Sequence, residues 1–187
     1  CGGRVRITDR QSEARLKEEL AQVADIASEV CLETEDEALL NGIDLVVPSP
    51  GVPCTAPLLM AAQRRGIPVW SEIELAFRFL RVPVLAVTGT NGKSTTTTLL
   101  GECLREHGRR VFVGGNLGTP LLDAVNGNAE VVVAEVSSFQ LEWVEQFRPR
   151  IGIWLNLTED HIDRHGTLAA YGEAKRALFV RQEPTDW

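Results

Sequence analysis

The sequence has no apolar run that approaches the roughly 20 residues needed to cross a bilayer. Its first ten residues, CGGRVRITDR, also lack the apolar core of a signal peptide. Cysteine is scarce and scattered, and no CxxC pair occurs among Cys1, Cys31, Cys54 and Cys103. Neither a disulfide framework nor a zinc site is therefore predicted. We expect a cytoplasmic protein with reduced thiols and no membrane contact.

Dense blocks of basic residues are also missing. The chain has 19 lysines and arginines against 26 aspartates and glutamates, a formal net charge of −7. This balance argues against non-specific binding of nucleic acid, so we expect small-molecule partners. With 187 residues, 44% of them hydrophobic, the chain can fill the core of one large or two small domains.

Short β-like runs alternate with longer helical patterns along the whole chain, which predicts an α/β fold with mainly parallel sheets. A change of pattern near residue 82 predicts two domains, 1–82 and 83–187. In the first, the predicted strands are 4–8, 43–48 and 67–70, and the predicted helices are 12–27, 56–65 and 72–80. Four apolar residues of the first helix recur at helical spacing and are predicted to be core: Leu16, Leu20, Val23 and Ala27.

The second domain repeats the alternation. Its predicted strands are 83–88, 110–114, 130–137 and 151–156, and its predicted helices are 94–106, 120–125 and 168–182. The long apolar run within 130–137 indicates a central strand that is buried on both faces. A polar loop, 157–167, follows the last predicted strand.

Residues 88–95 read TGTNGKST, between a predicted strand and a predicted helix. A strand that leads through glycine into a helix presents backbone N–H groups and the positive helix end to an anion. In such a loop Lys93 reaches the β- and γ-phosphates, and the Ser94 hydroxyl ligates magnesium. The usual pattern has glycine where this chain has Val87, so the loop is a variant. We predict that Gly89 to Thr95 bind nucleotide phosphates.

Other polar residues follow neighbouring strands at the edge where parallel α/β sheets bind ligands. Glu135 lies near the end of an apolar strand, where an unpaired charge is costly, so a metal or ion-pair role is favoured. Asn116 lies in the loop GGNLG, Asn156 ends the last predicted strand, and His161 follows that strand. We predict that these side chains gather beside the phosphate loop.

Some polar residues near these strand ends have a structural interpretation as well. His161 and His165 lie in the acidic loop EDHIDRH, where a histidine is often only solvated; position favours a site role for His161 more than for His165. His107 is interpreted as a cation at a helix end. Asp160 and Asp163 are interpreted as loop or helix-capping acids.

Three further features remain open from the residues alone. Asp9 ends the first predicted strand, where an acid either bonds a ribose hydroxyl or caps the next helix. The turn at Ser49, Pro50 and Gly51 also follows a strand, although turn chemistry alone explains it. Lys175 lies on a predicted helix, where an exposed lysine is the default.

Taken together, the motifs TGTNGKST, GGNLG, AEVSSFQLE, NLTEDHIDRHGT and AYGEAK resemble the Mur ligase family, and most of all its D-glutamate-adding branch. The resemblance covers nearly the whole chain. GTNGK[ST] is common to the family, including the folylpolyglutamate synthases, whereas SSFQLE with GGNLG is more selective. The fold implied is an incomplete Rossmann-like N-terminal domain that binds a UDP-sugar, 1–82, and an incomplete P-loop NTPase-like central domain that binds ATP, 83–187.

The resemblance also implies a reaction. ATP, with Mg²⁺, phosphorylates the carboxylate of UDP-N-acetylmuramoyl-L-alanine, and the amine of D-glutamate attacks the acyl phosphate to form an amide in peptidoglycan precursor synthesis. A monomeric parent protein is expected. Two alternatives stay open: another Mur or folylpolyglutamate-type ligase, and a nucleotide-binding module without catalysis.

The resemblance assigns roles to individual residues. Lys93, His161 and Lys175 are expected to be catalytic. One Mg²⁺ is expected on Ser94 and Glu135, and a second on His161 and a carbamylated Lys175. The expected ATP-binding residues are Gly89, Thr90, Asn91, Gly92, Lys93, Ser94, Thr95 and Thr96. The expected substrate-binding residues are Asp9, Ser49, Pro50, Gly51, Asn116, Ser137, Ser138 and His161.

Two departures from the family pattern bear on activity. The glycine-rich turn expected before strand 4–8 is missing, and so is the C-terminal domain that binds D-glutamate in the family. We therefore expect this polypeptide to be a fragment that does not complete the reaction, with at most weak binding of nucleotide or UDP-sugar.

Overall fold

A computed structural model describes residues 2–187, which form two compact units. The first comprises residues up to Asp44 and Thr55–Ile67, and the second comprises Leu45–Cys54 and Pro68–Trp187. Both units combine helices with parallel strand pairs, which confirms the predicted α/β fold. Among the residues described, no helix is both long enough and apolar enough to cross a membrane.

The first unit is built on a two-stranded parallel sheet. In chain order its elements are β1 (Val5–Asp9), α1 (Lys17–Val23), β2 (Ala27–Leu32), a 3₁₀ helix (Glu37–Leu40) and α2 (Pro57–Arg64). Its buried apolar residues lie mainly on α2 and the 3₁₀ helix, and include Leu40, Leu59, Ala61 and Ala62. Arg6 on β1 donates to Glu29 on β2 at 2.6 Å and so ties the two strands together.

The predicted helix over 12–27 is wrong in length. Helix α1 spans only Lys17–Val23, and Ala27 begins β2, a strand that the sequence interpretation missed. Parallel pairing with β1 overrides the helical spacing here, since residues 27–32 find hydrogen-bond partners along β1. Leu16, Leu20, Val23 and Ala27 are partly buried, not fully buried as predicted.

The second unit holds a four-stranded parallel sheet in the order β4-β5-β3-β6. Its strands are β3 (Val84–Thr88), β4 (Val111–Gly115), β5 (Val131–Glu135) and β6 (Ile151–Trp154). Its helices are α3 (Glu72–Phe79), α4 (Lys93–Glu106), a 3₁₀ helix (Leu121–Ala124), α5 (Ser138–Leu141), α6 (Ile162–His165) and α7 (Leu168–Arg176). Because the strands are parallel, their carboxyl ends lie along one edge.

Two predicted strands are not formed as such. Residues 43–48 and 67–70 contribute only an isolated parallel bridge between Val46 and Val69. Helix α6 was also missed, since it lies within the segment 157–167 that was predicted to be a loop. Four residues are too few for hydrophobic periodicity to reveal a helix.

The core of the second unit lies against β3 and β5, the two central strands. Every residue of both strands is buried. Val132 and Ala134 pack with Ile73 of α3 and with Phe147, all of them with no exposed surface. Apolar strands buried on both faces are typical of parallel sheets covered by helices, so this core fixes the edge at which the polar loops meet.

Glu74 is a fully buried acid on α3 that holds the segment after α5. Its carboxylate accepts main-chain N–H groups of Glu145, Gln146 and Phe147 at 2.8–3.1 Å. The guanidinium of Arg78 donates to the same carboxylate at 2.7 Å and stacks on the ring of Trp70. A buried charge is tolerated because each carboxylate oxygen is satisfied.

Replacement of Glu74 by alanine is expected to lower the free energy of unfolding by about 3–5 kcal/mol, because it leaves three main-chain amides and the Nε of Arg78 without their acceptor. Urea denaturation measures the change. The matched control is Glu145→Ala, which removes an exposed partner of Arg78 and is expected to cost less than about 1 kcal/mol. Equal losses in the two variants would contradict the assigned role of Glu74.

Candidate functional site

The predicted phosphate loop joins β3 to α4 at the carboxyl edge of the sheet. Gly92 precedes α4 with a φ of +84°, a conformation that glycine adopts without steric cost. Lys93, Ser94 and Thr95 form the first turn of α4, and the side chains of Ser94 and Thr95 are exposed. The loop therefore has the strand–turn–helix context that a phosphate site requires.

Val87, the departure from the usual loop pattern, lies in the buried sheet. It is fully buried in β3 and pairs in register with Glu135 of β5. A glycine there would leave buried space unfilled, whereas the valine side chain fills it on one face of the sheet. The variant residue is therefore part of the buried sheet.

Two lysines converge on the phosphate loop. The Nζ atom of Lys93 donates to the carbonyls of Gly89 at 3.0 Å and Thr90 at 2.9 Å. The Nζ atom of Lys175 donates to the same Gly89 carbonyl at 2.8 Å. The loop thus brings together two cations that are 82 positions apart in the sequence, at the spot where an anion is expected.

Lys175 is not the exposed helical lysine that composition suggested. It is 1% exposed on α7, and its ammonium lies 4.4 Å from the centre of the Tyr171 ring. Burial, together with the charge of Lys93, lowers the pKa of Lys175 to about 8. A substantial fraction of this amine is therefore neutral near pH 8, and a neutral amine is nucleophilic.

Glu135 lies at the end of β5, and only one of its two carboxylate oxygens accepts a hydrogen bond. Its Oε1 accepts from Nδ2 of Asn116 at 2.7 Å, and the main-chain N–H of Asn116 donates to the Glu135 carbonyl at 2.9 Å. The carboxylate is 3% exposed, and Oε2 has no hydrogen-bond partner. Asn116 and Glu135 are thus brought together as predicted.

The Oε2 atom of Glu135, which has no hydrogen-bond partner, bears on whether this site fits a magnesium ion. A buried carboxylate oxygen without a donor is costly, and a hard cation would satisfy it. Among residues 2–187 no group of three or more His, Cys, Asp or Glu side chains could hold a metal by itself. Mg²⁺ usually takes only one or two carboxylates together with substrate phosphates, so Glu135 fits such an ion.

His161 lies among aromatic rings at the start of α6. It has a φ of +52°, and its ring lies 4.8 Å from that of Phe139 and 6.0 Å from that of Tyr171. Its Nε2 is 3.5 Å from the carboxylate of Asp160, which also accepts the His161 N–H. His161 and Lys175 therefore approach the same tyrosine, as two residues of one site are expected to do.

Ser137 and Ser138 are both engaged within the protein. Ser137 forms a capping box with Gln140 at the start of α5. The hydroxyl of Ser138 lies 3.0 Å from Nε2 of His165. Burial lowers the pKa of His165, so its ring is neutral at pH 7. Any substrate contact of these serines must be shared with, or must replace, these internal bonds.

A partly buried ion pair links the turn at 49–52 to helices α5 and α6. Arg164 donates to both carboxylate oxygens of Glu142, at 2.5 and 3.1 Å, and the two side chains are 11% and 12% exposed. Arg164 also donates to the main-chain carbonyl of Val52 at 2.8 Å. Sequence reasoning missed both residues, because only the fold brings positions 52, 142 and 164 together.

The remaining predicted residues lie elsewhere or in structural roles. Asp9 is in the first unit, where it ends β1 and accepts from Gln11 N–H at 2.7 Å, forming a turn and not a cap of α1. Ser49, Pro50 and Gly51 form the exposed turn of the second unit just described. His107 ends α4, with its Nδ1 2.7 Å from the Cys103 carbonyl.

Family models match both parts of the chain. Residues 87–186 match the Mur ligase middle domain, and residues 2–71 match the MurD-like N-terminal domain of Mur ligases. The first match alone spans more than half of the chain. This chain belongs to the Mur ligase family. Members of this family use ATP, generally with Mg²⁺, and form amide bonds.

Similar curated Mur ligases include two bacterial proteins named UDP-N-acetylmuramoylalanine--D-glutamate ligase. The protein from Geobacter metallireducens is 50% identical in an alignment of 188 positions, which covers 100% of this chain and 42% of that protein. The protein from Anaeromyxobacter dehalogenans is 52% identical, over 99% of this chain and 40% of that protein. The chain thus spans about two fifths of the length of these relatives.

A solved Mur ligase structure supports the fold. It is the UDP-N-acetylmuramate:L-alanyl-gamma-D-glutamyl-meso-diaminopimelate ligase from Neisseria meningitides, with a TM-score of 0.57 and 22% sequence identity. The alignment covers 97% of this chain and 61% of that structure. At this level of identity the likeness establishes the α/β architecture of a Mur ligase and nothing finer.

Proposed function

We propose that this chain carries the UDP-sugar-binding part, 1–82, and the ATP-binding part, 83–187, of a cytoplasmic ligase that adds D-glutamate to UDP-N-acetylmuramoyl-L-alanine. The observation that supports it most is the convergence of a phosphate loop, the half-satisfied carboxylate of Glu135 and the buried Lys175 at one sheet edge. The choice of D-glutamate is supported by the curated relatives at 50% and 52% identity.

The chemistry follows from the weakness of a carboxylate as an electrophile. Transfer of the γ-phosphoryl group to the substrate carboxylate gives its carbonyl carbon a good leaving group. The amine of D-glutamate then attacks that carbon and expels phosphate, which forms the amide. The residues of this chain have two tasks, namely to hold the reactants in line and to offset the repulsion between two anions.

Lys93 offsets the repulsion between the anionic substrate and ATP. Its ammonium donates to two carbonyls of its own loop, those of Gly89 and Thr90. When ATP binds, Lys93 exchanges those carbonyls for oxygens of the β- and γ-phosphates. The main-chain N–H groups at the start of α4 hold the same phosphates, and together these donors stabilise charge that develops during transfer.

Ser94 and Glu135 would hold one Mg²⁺, and His161 with a carbamylated Lys175 would hold a second. Such ions would supply Lewis-acid stabilisation of the phosphoryl oxygens. Lys175 becomes an acidic ligand when its neutral amine adds to CO₂, which forms an N–C bond and releases one proton. Asn116 orients Glu135. Thr90 and Asn91 belong to the nucleotide loop, and Thr96 lies in the first turns of α4.

In the first unit, Asp9 is proposed to bind the uridine diphosphate part of the UDP-sugar substrate. In the second unit, the turn Ser49-Pro50-Gly51 is proposed to bind the uridine diphosphate part of that substrate. Asn116, Ser137, Ser138 and His161 face its sugar and peptide end. Arg164 supports this assignment indirectly, because it fixes the Val52 carbonyl at the end of the turn that is to hold the diphosphate.

The test is ADP and phosphate release by the full-length protein that carries this sequence. With UDP-N-acetylmuramoyl-L-alanine, ATP and Mg²⁺, release is expected to depend on D-glutamate. Controls replace D-glutamate by L-glutamate, or the UDP-substrate by a folate. Release that depends on a different amino acid or acceptor would assign another ligase of the family. Nucleotide binding without turnover of any acceptor would indicate a binding module.

A further inference from the structure

The side chain of Asn156, which follows β6, is bonded to the phosphate loop on three sides. Its Oδ1 accepts the main-chain N–H groups of Asn91 at 2.9 Å and Thr90 at 3.2 Å. Its Nδ2 donates to the Asn91 carbonyl at 3.0 Å. One amide side chain therefore satisfies two donors and one acceptor of the loop, across 65 positions of sequence.

Asn156 is itself held by its surroundings. Its main-chain carbonyl accepts from the Thr90 N–H at 3.2 Å and from Nε1 of Trp154 at 2.9 Å. Two residues further on, the Thr158 N–H donates to the Thr90 hydroxyl at 3.1 Å, and that hydroxyl is 3.2 Å from the Thr158 carbonyl. Residues 156–158 thus form a hydrogen-bonded support along one side of the loop.

The hydrogen bonds of residues 156–158 determine which main-chain N–H groups near the phosphate loop remain available to a ligand. The N–H groups of Thr90 and Asn91 are already paired with Asn156, whereas the first turn of a helix has N–H groups without intrahelical partners. Phosphates therefore meet the N–H groups at the start of α4, together with Lys93. A loop that is already fixed loses less conformational entropy when it binds.

We propose that Asn156 is a positioning residue that pre-orders the phosphate loop for nucleotide and does not itself touch the nucleotide. The proposal rests on the proposed function, since it takes the ligand of the loop to be ATP. It predicts a selective effect: loss of the Asn156 amide weakens nucleotide binding and leaves binding of the UDP-substrate unchanged.

The experiment compares Asn156→Ala with wild type in the full-length protein. The dissociation constant for ATP with Mg²⁺ is expected to rise about 10- to 100-fold, because two or three hydrogen bonds that order the loop are lost. The dissociation constant for UDP-N-acetylmuramoyl-L-alanine is expected to stay within about twofold. The matched control is Asn126→Ala, at an exposed asparagine of the same unit, which is expected to change neither value.

Amide hydrogen exchange gives a readout that a general loss of stability would not reproduce. The Asn91 N–H has the Asn156 side chain as its acceptor, so in the free protein it is expected to be protected in wild type and to exchange at least about tenfold faster in Asn156→Ala. Asn156→Asp keeps the accepting oxygen and is expected to restore protection. An unprotected Asn91 N–H in wild type would overturn the proposal even if Asn156→Ala failed to fold.

The outcomes separate this proposal from the proposed function. If Lys93→Ala abolishes ATP binding while Asn156→Ala leaves it unchanged, the loop binds ATP and the positioning role is wrong. Equal weakening of ATP and UDP-substrate would also overturn the positioning role, because it indicates general damage. If neither wild type nor any variant binds ATP, the proposed function itself fails.

Discussion

Lys93→Ala is expected to reduce ATP-dependent turnover in the full-length protein by roughly 10³-fold, the magnitude typical of a lost donor to developing charge. The ammonium of Lys93 is the side-chain cation of the loop, and it donates to two main-chain carbonyls. Those carbonyls remain satisfiable by water when the lysine is removed, so the melting temperature is expected to change by less than about 3 °C.

The chain offers a matched control for this substitution. Lys17 lies exposed on α1 in the first unit, so Lys17→Ala removes the same charge and is expected to leave turnover within about twofold. Lys93→Arg keeps the positive charge but replaces the compact ammonium by a planar guanidinium, so it is expected to retain only part of the wild-type turnover. Calorimetric titration with ATP and Mg²⁺ follows binding directly. Undiminished ATP affinity in Lys93→Ala would show that this loop is not the nucleotide site.

The phosphate loop and its neighbours could be predicted because their signals are local. A short apolar run, a glycine turn and a lysine stand next to one another between 83 and 95, and the context alone indicates strand, loop and helix. Glu135 and Asn116 could be placed for a similar reason, since parallel strands end at one edge. Their contact at 2.7 Å follows from adjacent strands β4 and β5.

Asn156 was predicted to lie beside the phosphate loop, but the hydrogen bonds of the supporting residues could not be predicted, because their partners are remote in sequence. Asn156 and Arg164 bond groups 65 and 112 positions away, and the acceptors of Arg164 include a main-chain carbonyl, which has no sequence signature. Strand β2 was missed for a related reason. Its first residue, Ala27, fits the helical spacing of the preceding segment, and only the pairing with β1 makes residues 27–32 a strand.

Lys175 shows how a resemblance can be more informative than composition. A lysine on a helix is usually solvated, and its own segment contains nothing that indicates otherwise. The fold nevertheless buries its side chain against Tyr171 and directs the ammonium to Gly89, 86 positions away. Burial and the neighbouring Lys93 lower the pKa of Lys175, so the contacts that bury the side chain also raise the fraction of its amine that is neutral and nucleophilic.

Lys175→Ala is expected to lower turnover in the full-length protein by roughly 10²-fold, the size of effect seen when a group that supports a metal site is lost. Lys17→Ala again controls for loss of charge. Depletion of CO₂ and bicarbonate is expected to lower wild-type turnover, and added bicarbonate to restore it. Lys175→Ala is expected not to respond to bicarbonate, since it has no amine at this position to carbamylate.

The pH dependence of bicarbonate reactivation and of protein stability follows from the direction in which the pKa of Lys175 is shifted. The pKa of Lys175 falls from 10.5 to about 8, so the fraction of neutral amine, and with it reactivation by bicarbonate, is expected to rise as pH increases through about 8.

Between about pH 8 and 10.5 the unfolded state binds more protons at Lys175 than the folded state, so Lys175 makes the stability of the fold increase with pH in that window. In CO₂-free buffer this increase is expected in wild type and is expected to be smaller in Lys175→Met. Identical slopes in the two proteins would mean that Lys175 is protonated in the folded state as readily as in the unfolded chain, and carbamylation at neutral pH would then have no chemical basis.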